Sequence, residues 1–183
     1  EYEGTRHNTG RMLVERFAKK CDASEWKEDK KRKVLIADAK IGKEKVTFIL
    51  PEGFMNNSGK SIAPFITSMK AAEKLVVVYD DLDLPLGTLK LSFDRGSGGH
   101  RGIESTIKAL KTRAFVRLRV GIAPATPSGK LKKPQGEDAV VDFILGAFKP
   151  KELEVLKKTF KKGGDALESI VTNGRQIAMG EVN

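Results

Sequence analysis

The sequence predicts an α/β fold: a three-layer α/β/α sandwich, with helices on both faces of a mixed, mostly parallel twisted sheet. Three observations carry that expectation. β-rich runs alternate with stretches of helical periodicity along the whole chain. One run, "LVVVYDD" (75–81), is continuous, apolar and ends in acids, the pattern of a buried parallel strand. No internal repeat or compositional break divides the 183 residues, so one domain over 1–183 is expected.

The elements follow in order. Met12, Leu13, Phe17 and Ala18 recur at helical spacing and predict a helix over about 10–21, with Thr9 or Asn8 as its cap. "KVLIADA" (33–39) and "KVTFILP" (45–51) are β-rich and separated by "KIGKE", which reads as a hairpin. "MNNSGKSIAPFITSM" reads as helical from Asn57 or Ser58, with Pro64 kinking it or beginning a second turn. After the apolar run, "GTLKLSF" (87–93) alternates as a strand exposed on one face. "GIESTIKALKT" is a helix, and "VRLRVGIA" (116–123) is a strand with Val116, Leu118, Val120 and Ile122 inward.

From Pro124 to about residue 136 the chain is rich in Pro, Ser, Gly and Lys, which predicts a mobile loop. "DAVVDFILGAF" (138–148) is a short apolar helix. "PKELEVLKKTFKKGGDALESIVTNG" is a longer one, with Pro150 at its start and Gly163-Gly164 as an expected interruption.

Composition narrows the function classes. Hydrophobic residues make up 39%, enough for a packed core. No apolar run approaches the roughly 20 residues of a membrane span, and the polar start "EYEGTRHN" has no signal-peptide core. The one cysteine, Cys21, has no partner for an internal disulfide, so a reducing, cytoplasmic setting is expected. The net charge of +10 biases the chain toward polyanions, meaning nucleic acid or an anionic membrane surface.

Ligands of open α/β sheets bind beyond the carboxyl ends of the strands. Four polar stretches are expected there: "TRHN" (5–8), "PEGFMNNSG" (51–59), "YDDLDLPLG" (79–87) and the glycine-rich "DRGSGGHRG" (94–102). His7 paired with a carboxylate would be a general base, since a carboxylate on one ring nitrogen leaves the other to take a proton from water. Asp80 is the candidate carboxylate, with Asp81 and Asp83 competing for that role. On spacing alone, a capping or surface role for His7 outweighs catalysis, and the three aspartates also fit a solvated turn or a Mg²⁺ site. Asn56 and Asn57 can cap a helix, and an asparagine amide can also orient water or donate to an oxyanion. "GSGGHRG" is shaped like a phosphate cradle but lacks the lysine and hydroxyl residue of a P-loop. His100 reads as a structural residue of that loop. No serine stands in a nucleophile elbow, and Cys21 falls within a helix, so nucleophilic catalysis is poorly supported.

Taken in this order, "EYEGTRHNTG", "FMNNSGKSI", "VVVYDDLDLPLG", "GSGGHRGIES", "RLRVGI" and "VVDFILGAF" resemble the bacterial-type peptidyl-tRNA hydrolase family over nearly the whole chain. The resemblance implies hydrolysis of the ester between a peptide and the 3′ ribose of tRNA, by a monomer with no metal and no organic cofactor. It implies His7 as general base, Asp80 as the acid that orients and stabilises it, and Asn56 as the amide that places water or substrate. It further implies that Tyr2 and Phe54 contact the substrate's end, that Asn56 and Arg101 occupy substrate-binding positions, and that Lys90 and Arg119 contact tRNA. The helix at 138–148 would be the lid over the cleft. The competing class is a non-catalytic RNA-binding relative of the same fold, splicing-factor-like.

Two departures from the family pattern stand out. The family begins with a strand ending in a Gly-x-x-Asn-Pro-Gly loop, and this chain starts at Glu1, just past that position. A missing middle strand would expose unpaired backbone and apolar surface, so a preceding segment is expected in the natural protein. Arg101 stands where the family usually has an asparagine after the histidine of the glycine-rich loop. Arginine keeps donors but loses the amide's acceptor, and a tRNA phosphate could pair with it.

Overall fold

A computed structural model describes residues 4–183, so Tyr2 lies outside the described residues. The elements in chain order are α1 (Thr9–Lys20), β1 (Lys27–Asp29), β2 (Val34–Ile41), β3 (Glu44–Pro51), α2 (Ser58–Ile62), α3 (Met69–Lys74), β4 (Val76–Pro85), β5 (Leu89–Phe93), α4 (Arg101–Leu110), β6 (Val116–Ala123), α5 (Glu137–Leu145), α6 (Pro150–Asn173) and α7 (Arg175–Val182). The expected α/β class holds. The strands form two three-stranded sheets, ordered β1-β2-β3 and β4-β6-β5. The chain clusters into two compact units: the first takes in the chain up to Phe17, Val78–Leu91 and Arg117–Asn183, and the second Ala18–Val77 and Ser92–Val116.

In the second unit the expected hairpin forms. β2 and β3 pair antiparallel from Val34↔Pro51 to Ile41↔Glu44, and β1, which the sequence did not announce, adds to the other edge of β2. Ala37, Ile41, Phe48 and Leu50 are buried and share one face, as the two-residue period requires. Pro64 falls in a 3₁₀ turn, Ala63–Phe65, directly after α2, so it does begin a second turn. Asn57 stands at the N-cap of α2, but its side chain makes no capping bond. The short helix α3 was missed. Its signal is Ser68, whose Oγ accepts the Ala71 N–H at 3.1 Å.

Most of the β4-β6-β5 sheet lies in the first unit, and β6 runs along its middle. Its bounds match the expectation, and Val116, Leu118, Val120 and Ile122 are at most 1% exposed. The opposite face is filled as well, because Arg117, Gly121 and Ala123 are buried too. Gly121 has no room for a Cβ, which would overlap the Pro85 carbonyl of β4. The outer edge of β5 is covered from the chain's last residue. The Asn183 amide accepts the Leu91 N–H and donates to the Leu91 carbonyl, both at 2.9 Å, as a neighbouring strand would.

Two expectations need correction here. Gly163-Gly164 does not interrupt α6, which runs unbroken for 24 residues. Both glycines are buried against α1: a Cβ on Gly163 would lie 2.7 Å from Leu13 Cδ2, and one on Gly164 would lie 3.5 Å from Phe17 Cδ2. Close packing of Leu13 and Phe17 therefore outweighs the roughly 1 kcal/mol of helix propensity that each glycine forfeits. Thr9 does not cap α1 from outside either. It is the helix's first residue, fully buried, and its Oγ donates to the Arg6 carbonyl at 2.6 Å.

Candidate active site

"TRHN" becomes a 3₁₀ turn, Arg6–Asn8, that runs directly into α1. The turn gives way to α1 at Thr9-Gly10, and Gly10 explains where it sits. A Cβ at Gly10 would overlap the Val78 carbonyl of β4, so only glycine lets this helix start lie so close to the strand. His7 stands three residues before that contact and Asp80 two residues after it. Gly10→Ala should therefore cost about 1–3 kcal/mol through overpacking and push the pair apart. Thermal unfolding reads the cost and the ¹⁵N resonances of His7 read its contact with Asp80, and a variant unchanged in both would show that the close approach is dispensable.

β4 corrects the sequence reading of its own segment. "YDDLDLP" is not a loop beyond the strand: the strand continues to Pro85. The valines 76–78 are only half-buried, while Tyr79, Asp80 and Asp81 are buried. Successive residues of a strand point to opposite faces, and the aspartates accordingly meet different partners. Asp80 turns both carboxylate oxygens to His7 Nδ1, each at 3.0 Å. Asp81 accepts Arg119 Nε at 2.5 Å and the Asp83 N–H at 2.7 Å. Asp83 is exposed and pairs with Lys133. The choice left open by the sequence falls on Asp80, and the three carboxylates do not gather as a cation site would need.

The His7 and Asp80 side chains are 9% and 5% exposed. Water is thus largely removed from their contact, which strengthens it. A proton on Nδ1, donated to the carboxylate, leaves Nε2 as the basic nitrogen. The pair can accept a proton from water and hold the resulting imidazolium against a fixed negative charge.

The neighbouring groups are tuned differently. Burial raises the Tyr79 phenol above its ordinary value, against the opposing charges of Arg117 and Arg119. Burial pulls the Arg119 guanidinium downward, but the hydrogen bond and charge of Asp81, with Tyr79 and Asp83, outweigh it and leave it raised. Arg119 therefore stays charged with its Nε committed to Asp81, its side chain 23% exposed. Lys90 is exposed on β5.

The second unit gathers another set of expected residues. β3 leads through Phe54 into the 3₁₀ turn Met55–Asn57, and both Phe54, 58% exposed, and Asn56 reach solvent. α2 follows, pressed onto α4. Gly59 donates its N–H to Ser105 Oγ at 3.0 Å, and a Cβ there would overlap the Ser105 carbonyl. Around the start of α4, Met55 Sδ would lie 2.8 Å and His100 Cε1 3.1 Å from a Cβ on Gly102. The turn holding Asn56 is thus packed against the helix start that carries Arg101. His100 is the N-cap of α4, its Nδ1 accepting the Ile103 N–H at 3.3 Å, which is the structural role expected of it. Arg101 is the first residue of α4 and exposed.

Sequence reasoning assigned nothing to Arg6. It is 7% exposed, its guanidinium stacks over Phe143 at 4.4 Å, and it pairs with Glu152 at 3.0 Å. A charged residue in a polar motif reads as solvated, and only partners some 140 positions away reveal otherwise.

A family model described as peptidyl-tRNA hydrolase matches residues 1–183. The peptidyl-tRNA hydrolase of Aquifex aeolicus (strain VF5) is 37% identical over 180 residues, covering 98% of this chain and 88% of that protein. That of Alkaliphilus oremlandii (strain OhILAs) is 34% identical over 184 residues, covering 100% and 93%. Among solved structures, peptidyl-tRNA hydrolase from Acinetobacter baumannii superposes with a TM-score of 0.87 at 27% identity, covering 100% of this chain and 88% of that one.

Proposed function

The chain belongs to the peptidyl-tRNA hydrolase family, an ester hydrolase family, and from that premise we propose how its side chains carry the reaction. His7 takes a proton from water through Nε2. The hydroxide attacks the ester carbonyl carbon, and the carbon–oxygen bond to the tRNA 3′ ribose breaks as the tetrahedral oxyanion collapses. The proton held on His7 then goes to the departing ribose oxygen, so the enzyme ends as it began. Asp80 holds the ring in the Nδ1–H tautomer and stabilises the imidazolium. Asn56 is assigned the amide that places water or substrate, Phe54 and Tyr2 the contacts to the substrate's end, and Arg101 a contact to the substrate or a tRNA phosphate. The observation that carries this reading is the buried contact of His7 Nδ1 with both Asp80 oxygens at 3.0 Å.

A pure RNA-binding relative is disfavoured by the same contact. Burying an ionisable pair has a desolvation cost, and a binder gains nothing from it. The reading invokes no metal or organic cofactor and takes the enzyme to act as a monomer in the cytoplasm, where peptidyl-tRNA is its substrate. No described helix is long and apolar enough to cross a membrane. We assign α5 as the lid over the bound ester. Val140, Val141, Phe143, Ile144 and Leu145 make it apolar, yet none of its residues is fully buried, which suits an element that covers a ligand. The direct test is incubation with peptidyl-tRNA and separation of the freed tRNA. A chain that frees none would overturn the assignment.

Lys90 and Arg119 are proposed to meet tRNA phosphates. Lys90→Gln should weaken binding and reduce the slope of log affinity against log salt by about 0.7–0.9, the share of one phosphate contact. Arg119→Gln should add a loss of stability, because Asp81 is left buried without its cation. tRNA affinity measured at several salt concentrations checks both, and a slope unchanged in Lys90→Gln would remove Lys90 from the interface.

A further inference from the structure

We propose that Arg6 is a positioning residue for His7: it clamps the turn that carries the general base onto the junction between α5 and α6. The proposal rests on the reading of His7 as base. It starts from where the charge lies. A buried guanidinium is costly unless it is well partnered, and Arg6 is 7% exposed. Its partners converge on one place. The guanidinium lies 4.4 Å from the Phe143 ring centroid and 5.2 Å from that of Phe148. One terminal nitrogen donates to Glu152 Oε2 at 3.0 Å, and the other approaches the Phe143 carbonyl at 3.4 Å. Gly146 leaves room for it, since a Cβ there would stand 2.9 Å from that second nitrogen.

The main chain is tied to the same junction. The Arg6 N–H donates to the Gly146 carbonyl at 3.0 Å, and Thr5 forms an isolated antiparallel bridge with Ala147. Glu152 is itself fixed, because the oxygen that meets Arg6 also accepts the Lys149 N–H at 2.6 Å, at the start of α6. On its other side, the Arg6 carbonyl accepts the Thr9 hydroxyl at 2.6 Å. The residue immediately before His7 is therefore held by its side chain, its N–H and its carbonyl. His7, the next residue, meets Asp80 on β4. A general base must be placed to a fraction of an ångström, and a 1 Å misplacement alone can cost about a hundredfold in rate.

The test compares wild-type enzyme with Arg6→Lys, Glu152→Gln and the double variant. Lysine keeps the charge but not the planar fork that stacks and pairs. Glutamine keeps the shape of Glu152 but not its charge. Each variant is read for kcat and KM on peptidyl-tRNA, for thermal unfolding, and for the tautomer of His7 by ¹⁵N resonances, which two histidines make assignable. The expected result is a kcat lower by about tenfold or more with KM within about twofold. The His7 ring should pass from one tautomer to a mixture, and the double variant should lose little beyond either single one. Arg6→Lys or Glu152→Gln enzyme that unfolds at lower temperature, yet keeps its kcat per folded molecule and its single His7 tautomer, overturns the proposal and leaves Arg6 a stabilising residue only. If Arg6→Lys does not fold, Glu152→Gln carries the same comparison. If the wild-type enzyme frees no tRNA, it is the assignment of His7 as base that fails, and the tautomer measurement still decides whether Arg6 positions the ring.

Discussion

Replacing His7 with alanine is expected to leave the fold intact and to lower turnover of peptidyl-tRNA by about two to four orders of magnitude, the range for losing a placed general base. The fold should survive because the turn that carries His7 is held by other atoms. The Arg6 carbonyl receives the Thr9 hydroxyl, the Arg6 N–H is bonded to Gly146, and Gly10 fits against Val78. What the variant loses is the nitrogen proposed to take the proton. It also leaves Asp80 buried without the imidazole, so a modest drop in unfolding temperature is expected alongside. Affinity for tRNA should barely change, because phosphate contacts supply most of that binding. The measurement is kcat and KM on peptidyl-tRNA together with thermal unfolding. Near-native kcat in folded His7→Ala enzyme would remove the mechanism, whatever its stability.

How much of this was legible in the sequence depends on which force sets each feature. β6 was legible to the residue, because Val116, Leu118, Val120 and Ile122 follow the two-residue period of a strand and the chain buries them. The β2–β3 hairpin and the apolar helix α5 were legible for the same local reason. The unbroken α6 was not. Gly163-Gly164 reads as a break from propensity, and only the side chains of Leu13 and Phe17, on a distant helix, show why the glycines are there. The end of β4 was hidden similarly. Alternating aspartates look like a solvated turn until their partners His7 and Arg119 are seen, and both come from other elements. The short helices α3 and α7 were missed because they are too short to show a period.

The site divides along the same line. Residue type alone left His7 more suited to a cap and three aspartates in competition, and it was the family resemblance that singled out His7 and Asp80, the two side chains that the structure brings into contact. Arg6 and Gly10 were invisible, although the first holds the turn and the second sets its distance from the strand. Their reasons lie in contacts with Phe143, Glu152 and Val78, which no local pattern announces.

Asp80→Asn should lower turnover by about two to three orders of magnitude while tRNA affinity stays near its wild-type value. Two effects combine. The carboxylate is a fixed negative charge beside the imidazolium that the proposed mechanism forms when water is deprotonated. At an effective dielectric of about 20, opposite charges about 4 Å apart attract by about 4 kcal/mol. That caps the electrostatic loss at about three orders of magnitude. The second effect is the tautomer. Both Asp80 oxygens face Nδ1 at 3.0 Å and accept from it. Asparagine can turn its NH₂ toward Nδ1 instead, which favours the proton on Nε2 and removes the base at the atom that needs it. Asp81→Asn is the matched control. It lies on the opposite face of β4 and breaks the pair with Arg119, so it should cost stability and leave the kcat of folded enzyme within a fewfold of wild type. The two variants are to be compared by kcat, KM and unfolding temperature under one set of conditions. If Asp81→Asn abolishes turnover while Asp80→Asn is silent, the carboxylate has been assigned to the wrong face of the strand.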